Sequence, residues 1–122
     1  MMPIINARTN DMLARDVELA DTRRARRRGL LGRDGLARSS ALVLSPCFMI
    51  HTAFMRFPID VVFVDRHGLV RKVVRNLPPW RIAVAPGARL AIELSGGVLG
   101  SDDVRVGDRL DVTPGPKAVA AA

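Results

Sequence analysis

The six residues from Ile59 to Val64, Ile-Asp-Val-Val-Phe-Val, restrict the fold more than any other stretch of this chain. In an extended backbone Ile59, Val61 and Phe63 share one face, and Val62 and Val64 share the other. Apolar residues on both faces predict a central strand covered on two sides. Pro58 breaks the chain ahead of it. Asp65-Arg66-His67-Gly68 reads as a hairpin turn with Gly68 in the left-handed position, and Leu69 to Arg75 returns as the partner strand.

The rest of the chain reads mostly as short strands. Residues 3–8 suit an edge strand, and Met12 to Ala20 a second strand anchored by Leu13, Val17 and Leu19. Thr22, with Asp21, offers a helix N-cap, and the arginine-rich run that follows has strong helix formers and no breaker before Gly29 or Gly32. A short helix is expected over 22–31. Ala41 to Leu44 reads as a buried strand, and 49–56 as a further one with His51 on its more apolar face. Leu77-Pro78-Pro79-Trp80 is an extended connector whose Trp80 plugs a barrel end or groove. Ile82 to Ala85, Arg89 to Leu94 (Leu90, Ile92 and Leu94 inward) and Arg109 to Val112 complete the set. The expectation is a mainly β (α+β) fold: a small barrel-like antiparallel or mixed sheet with one short N-terminal helix. Residues 1–113 form one domain and 114–122 a flexible tail.

Composition narrows the function classes. The apolar fraction of 48% supports one core in 122 residues, and aromatics at 4% make that core mainly aliphatic. One cysteine excludes an internal disulfide and a multi-thiolate zinc site. The N-terminus lacks the apolar run of a signal peptide, and no stretch approaches the roughly 20 apolar residues of a membrane span. The expected location is therefore cytoplasmic. The net charge of +7 invites a nucleic-acid reading. Lysine occurs only at positions 72 and 117, however, so the charge is almost all arginine and reads as compositional bias.

A few polar residues stand in this apolar ground, and a polar group there must be hydrogen-bonded or wet. His51, Asp60 and Glu93 are the types needed for acid–base or metal work. The alternative is a buried His51 with a backbone partner, and an Asp60 that pairs with Arg56 or caps the turn after Pro58. Arg56 beside Thr52 suits a carboxylate or phosphate, or an ion pair with Asp60. Cys47 lies four residues before His51, roughly 13 Å away along a straight strand, and reads as a small hydrophobe.

Taken together, Arg28-Gly29-Leu30-Leu31-Gly32-Arg33, His51-Thr52, Met55-Arg56-Phe57-Pro58-Ile59-Asp60 running into Val61 to Asp65, Glu93-Leu94, Gly97 and Gly107-Asp108 resemble the domain of unknown function 192 family of small prokaryotic proteins. The resemblance runs from about Val17 to Leu110. Many members carry Trp-Met-Lys-Asn-Thr where this chain has His51-Thr52-Ala53-Phe54-Met55, so it resembles a histidine-bearing branch. Many also carry an export signal that this N-terminus does not show. The resemblance implies a compact, mostly β, barrel-like fold and no established activity.

The resulting reading is a binding or accessory module for a small anionic ligand or a protein partner, using His51, Thr52, Arg56, Asp60, Trp80 and Glu93. No catalytic residue, cofactor or metal is assigned. One alternative is a hydrolase-type or metal-dependent enzyme built on His51 with Asp60 or Glu93. Another is a nucleic-acid or anionic-surface binder using Arg23, Arg24, Arg27 and Arg28.

Overall fold

The computed structural model describes residues 2–112; the expected tail, 114–122, lies outside the described residues. The strands are β1 (Ile4–Asn6), β2 (Asp11–Ala14), β3 (Asp16–Ala20), β4 (Ser40–Leu44), β5 (Met49–His51), β6 (Ile59–Val64), β7 (Val70–Leu77), β8 (Ile82–Val84), β9 (Leu90–Ser95) and β10 (Leu110–Asp111), with one helix, α1 (Arg23–Arg28). The main sheet has the order β3-β4-β9-β6-β7. β3 and β4 are parallel and the other pairs antiparallel. A parallel pair needs a crossover, and residues 21–39 supply it, carrying α1 across one face of the sheet. Thr22 caps the helix by accepting the Ala25 N–H, and Gly29, at φ 48°, ends it.

Every residue of β6 is buried. Its alternation divides the core. Val62 and Val64 pack with Val43, Leu90, Ile92 and Leu94 on one face of the sheet. Ile59, Val61 and Phe63 pack with Leu42, Leu44, Ala91 and Leu30 on the other. The hairpin forms as expected. Asp65 Oδ1 accepts the amides of His67 and Leu69, and Gly68 takes φ 82°. Its return strand, β7, is the sheet edge.

The mainly β fold, the mixed sheet and the short helix agree with the sequence. The barrel does not: the described strands form three separate sheets, and none closes on itself. Three shorter elements also differ. β1 is the middle strand of the sheet β10-β1-β2, not an edge. The stretch 12–20 divides at Arg15, where the amides of Arg15 and Asp16 both reach the Ser39 carbonyl (2.8 and 3.1 Å), and its halves join different sheets. The strand expected over 49–56 ends at His51, and its outward face carries Met49 and His51 while Ile50 points in. Trp80 plugs nothing; it is exposed and packs edge-to-face on Phe54.

Candidate ligand site

Glu93 is the residue from which the site is built. It lies mid-strand in β9, with Leu42 of β4 opposite on one side and Val61 of β6 on the other. Its side chain is on the sheet face that α1 crosses, only 3% exposed, and Oε1 has no hydrogen-bond partner among the described residues. A Cβ built on Gly29, at the end of α1, would lie 3.8 Å from that oxygen. Burial pushes the Glu93 carboxyl up to about 7, with the charge of Arg33 pulling it the other way.

Above Glu93 is a cavity of about 300 Å³. Leu30, Leu44, Ile50 and Met55 form its apolar wall, and all four are buried. Arg27 and Arg28, both exposed, line it from the last turn of α1, with Arg26 beside them. Arg26 is partly spent on the carbonyls of Asp21 (3.0 Å) and Ser45 (3.3 Å). Cys47 and His51 line the opposite side. Burial raises the Cys47 thiol above its ordinary value, which keeps it protonated near neutrality, and its Sγ donates to the Met49 carbonyl at 3.2 Å. His51 Nδ1 accepts the Ala53 amide at 3.3 Å, so its other ring nitrogen remains for solvent or ligand.

The structure therefore brings together His51, Glu93, Arg27 and Arg28 from the sequence candidates. It separates the others. Asp60 is fully buried and accepts three backbone amides: Asn76 (2.8 Å) and Gly97 (3.0 Å) on Oδ1, Leu99 (2.9 Å) on Oδ2. It is a staple between β6, β7 and the loop after β9. Arg56 pairs with Asp34 at 2.7 Å, both exposed, rather than with Asp60. Thr52 is buried; its hydroxyl donates to the Pro78 carbonyl (2.7 Å) and accepts the Arg81 amide (2.8 Å). Trp80 lies with Phe54 beyond the ribbon of β5 and β8. Arg23 and Arg24 do not line the cavity.

Asp108 is a second staple: Asn6 Nδ2 and the Arg105 amide bond Oδ2, and Arg8 Nε bonds Oδ1, at 2.8–2.9 Å. No group of three or more His, Cys, Asp or Glu placed to hold a metal occurs among the described residues. No described helix is long and apolar enough to cross a membrane.

The sequence missed the cavity walls, which come from the end of α1 and from residues 46–51. One signal was present. Glu93 sits in β9 between small neighbours of the same parity, Ala91 and Ser95. Small residues on the second face of a strand mark a face that something else approaches closely.

Mixed-sheet β architecture, one crossover helix and a polar-floored cavity define the class. Within it, the chain belongs to the DUF192 family, described as an uncharacterized ACR, whose sequence profile matches residues 4–112. No curated protein matches the chain. The fold resembles a crystal structure of a protein of unknown function from Novosphingobium aromaticivorans: TM-score 0.79, 22% identity, 90% of this chain and 84% of that one covered. It also resembles a structure from Sinorhizobium meliloti described as a proposed transcription regulator: TM-score 0.76, 24% identity, 89% of each chain covered. These likenesses concern the fold.

Proposed function

We propose that the protein is a small binding module whose cavity beneath α1 takes an organic anion carrying a hydrogen-bond donor at its far end. The observation that supports this most is the Glu93 Oε1 atom, buried and without a hydrogen-bond partner among the described residues, at the floor of a cavity whose inner wall is aliphatic. A buried polar group left unsatisfied costs roughly 1–3 kcal/mol. A ligand N–H or O–H removes that cost. Arg27 and Arg28 on the exposed side then meet the anionic group, and the aliphatic wall takes the body between. Thr52, Asp60 and Arg56 act in this reading as supports of the surrounding backbone and surface.

Three probes of one length separate the elements of the proposal: 6-aminohexanoate, 6-hydroxyhexanoate and hexanoate. Ligand that binds only the folded state raises the melting temperature. The two probes with a terminal donor are expected to raise it by several degrees near 100-fold excess over Kd, and hexanoate by much less. In Glu93→Leu, which removes the acceptor, the preference for 6-aminohexanoate and 6-hydroxyhexanoate over hexanoate disappears. In Arg27→Ser/Arg28→Ser all three weaken. Equal shifts from the three probes in wild type, or no shift from any, contradict the proposal.

A further inference from the structure

The ribbon of β5 and β8 has one buried face and one bare face. The cross-strand pair Ile50–Ala83 points inward, while Met49 and the pair His51–Ile82 point outward. Phe48 adjoins the ribbon at one end, where its carbonyl accepts the Ala85 amide. Phe54 and Trp80 lie at the other end, their ring centroids 4.6 Å apart. The exposures are 55% for Phe48, 53% for Met49, 72% for Phe54, 59% for Trp80 and 68% for Ile82. Single exposed hydrophobes are ordinary on a protein surface, but five on one ribbon and its two ends mark a contact surface.

The backbone holds the aromatic pair in place at a cost. Phe54 and Trp80 both have positive φ, 65° and 66°, which disfavours residues with a side chain. Thr52 fixes both loops: its amide and carbonyl pair with the Arg81 carbonyl and the Trp80 amide, and its hydroxyl takes Pro78 and Arg81. Strain held in a rigid frame, with the rings exposed, is not explained by packing among the described residues.

Charge identifies the other side of the contact. From Pro46 to Ile92 the acidic residues are Asp60 and Asp65, both buried and bonded to backbone amides. The other charges of that stretch are cations, of which Arg56 is paired with the exposed Asp34. Arg81 precedes Ile82, and Lys72 Nζ sits 3.0 Å from the Val84 carbonyl. Arg27 and Arg28 line the cavity that Phe48, Met49 and His51 also border. We infer that this face docks on an anionic lipid surface. Aromatic and aliphatic side chains enter the interfacial region, and the surrounding cations meet the headgroups. Nucleobases are a poorer match: Met49 and Ile82 have no ring to stack on, and Phe54 and Trp80 already pack against each other. An added peptide strand is a poorer match too, since Lys72 occupies the Val84 carbonyl of β8.

The chain has one tryptophan, and it lies in this face, so its fluorescence reads the contact directly. The test mixes the protein with vesicles of phosphatidylcholine, with and without one quarter phosphatidylglycerol. With the anionic vesicles the protein is expected to co-sediment, its Trp80 emission to shift to the blue, and both effects to weaken as salt is raised. The variant Phe54→Asn/Ile82→Thr changes two exposed positions, and asparagine tolerates positive φ, so the fold is kept. It is expected to lower the partition coefficient at least about tenfold. Met12→Thr, exposed on β2, and Glu93→Gln are expected to partition as wild type does, which separates this inference from the cavity reading. Three results overturn it: no partition to anionic vesicles, partition without a Trp80 shift, or undiminished partition of the double variant. Binding to an oligothymidylate that changes Trp80 emission, with vesicles left unbound, overturns it in favour of single-stranded nucleic acid.

Discussion

Glu93 costs the folded state stability that a leucine at the same position would not. Its carboxyl titrates at about 7 when folded, against 4.5 ordinarily. Between those values the folded chain holds a proton that the unfolded chain has released, so stability falls as pH rises from 4.5 to 7 and is level above that. The whole slope amounts to about 3 kcal/mol. Urea unfolding at pH 5 and pH 8 is expected to show it in wild type and to lose it in Glu93→Gln. Glu93→Leu is expected to be more stable than wild type at pH 8 and to lose the preference for probes with a terminal donor over hexanoate. Asp108 acts in the opposite direction. Burial pushes its carboxyl up, but the bonds from Arg8, Asn6 and the Arg105 amide outweigh that and hold it at about 2. Its contribution is present above 3.8 and is lost as pH falls toward 2. Asp60→Ala leaves three backbone amides in the interior without an acceptor. A loss of roughly 3–5 kcal/mol is expected from chemical unfolding, with no change in probe selectivity if the fold is retained.

At the scale of elements, β6 and β9 carry the sheet, and both are buried along their length except at Ser95. Phe63 is fully buried on the helix side of β6, so Phe63→Ala is expected to cost about 3–5 kcal/mol. Gly96 is where the end of β9 passes β6: a Cβ there would lie 2.9 Å from the Pro58 carbonyl oxygen. Gly96→Ala therefore forces two backbones apart, and a loss of roughly 1–3 kcal/mol is expected from the same measurement. The hairpin of β6 and β7 was legible because a two-sided apolar run ending in Asp-Arg-His-Gly has one economical reading. The strands β5 and β8 were legible in position, but their pairing and the end of β5 at His51 were not, because three-residue strands are too short for a period to show. Their parity was readable, but parity alone does not say which face is covered, and here Met49 and His51 face out. Nor does periodicity reveal that the run from Met12 to Ala20 changes sheets at Arg15, since that step depends on the distant carbonyl of Ser39.

For the molecule as a whole, the main sheet has apolar clusters on both faces, and α1 stands over only one of them. Both parities of β9 are thereby buried, which is why Glu93 is inside although Leu90, Ile92 and Leu94 read as the inward set. Mainly β class and family membership were legible from residues spread along the chain. The cavity was not, since it depends on where the crossover sets the Arg27–Gly29 turn relative to Glu93 and His51, a relation that no local pattern encodes. Its arginines were visible as charge, but not their place around a cavity floored by a buried carboxyl. The most direct test is an NMR pH titration of the Glu93 carboxyl in the free protein and with saturating 6-aminohexanoate. The cavity reading predicts a midpoint near 7 in the free protein and a fall of at least about one unit once an ammonium group lies against Oε1. A midpoint in the ordinary carboxylate range, or one unmoved by the bound probe, contradicts it.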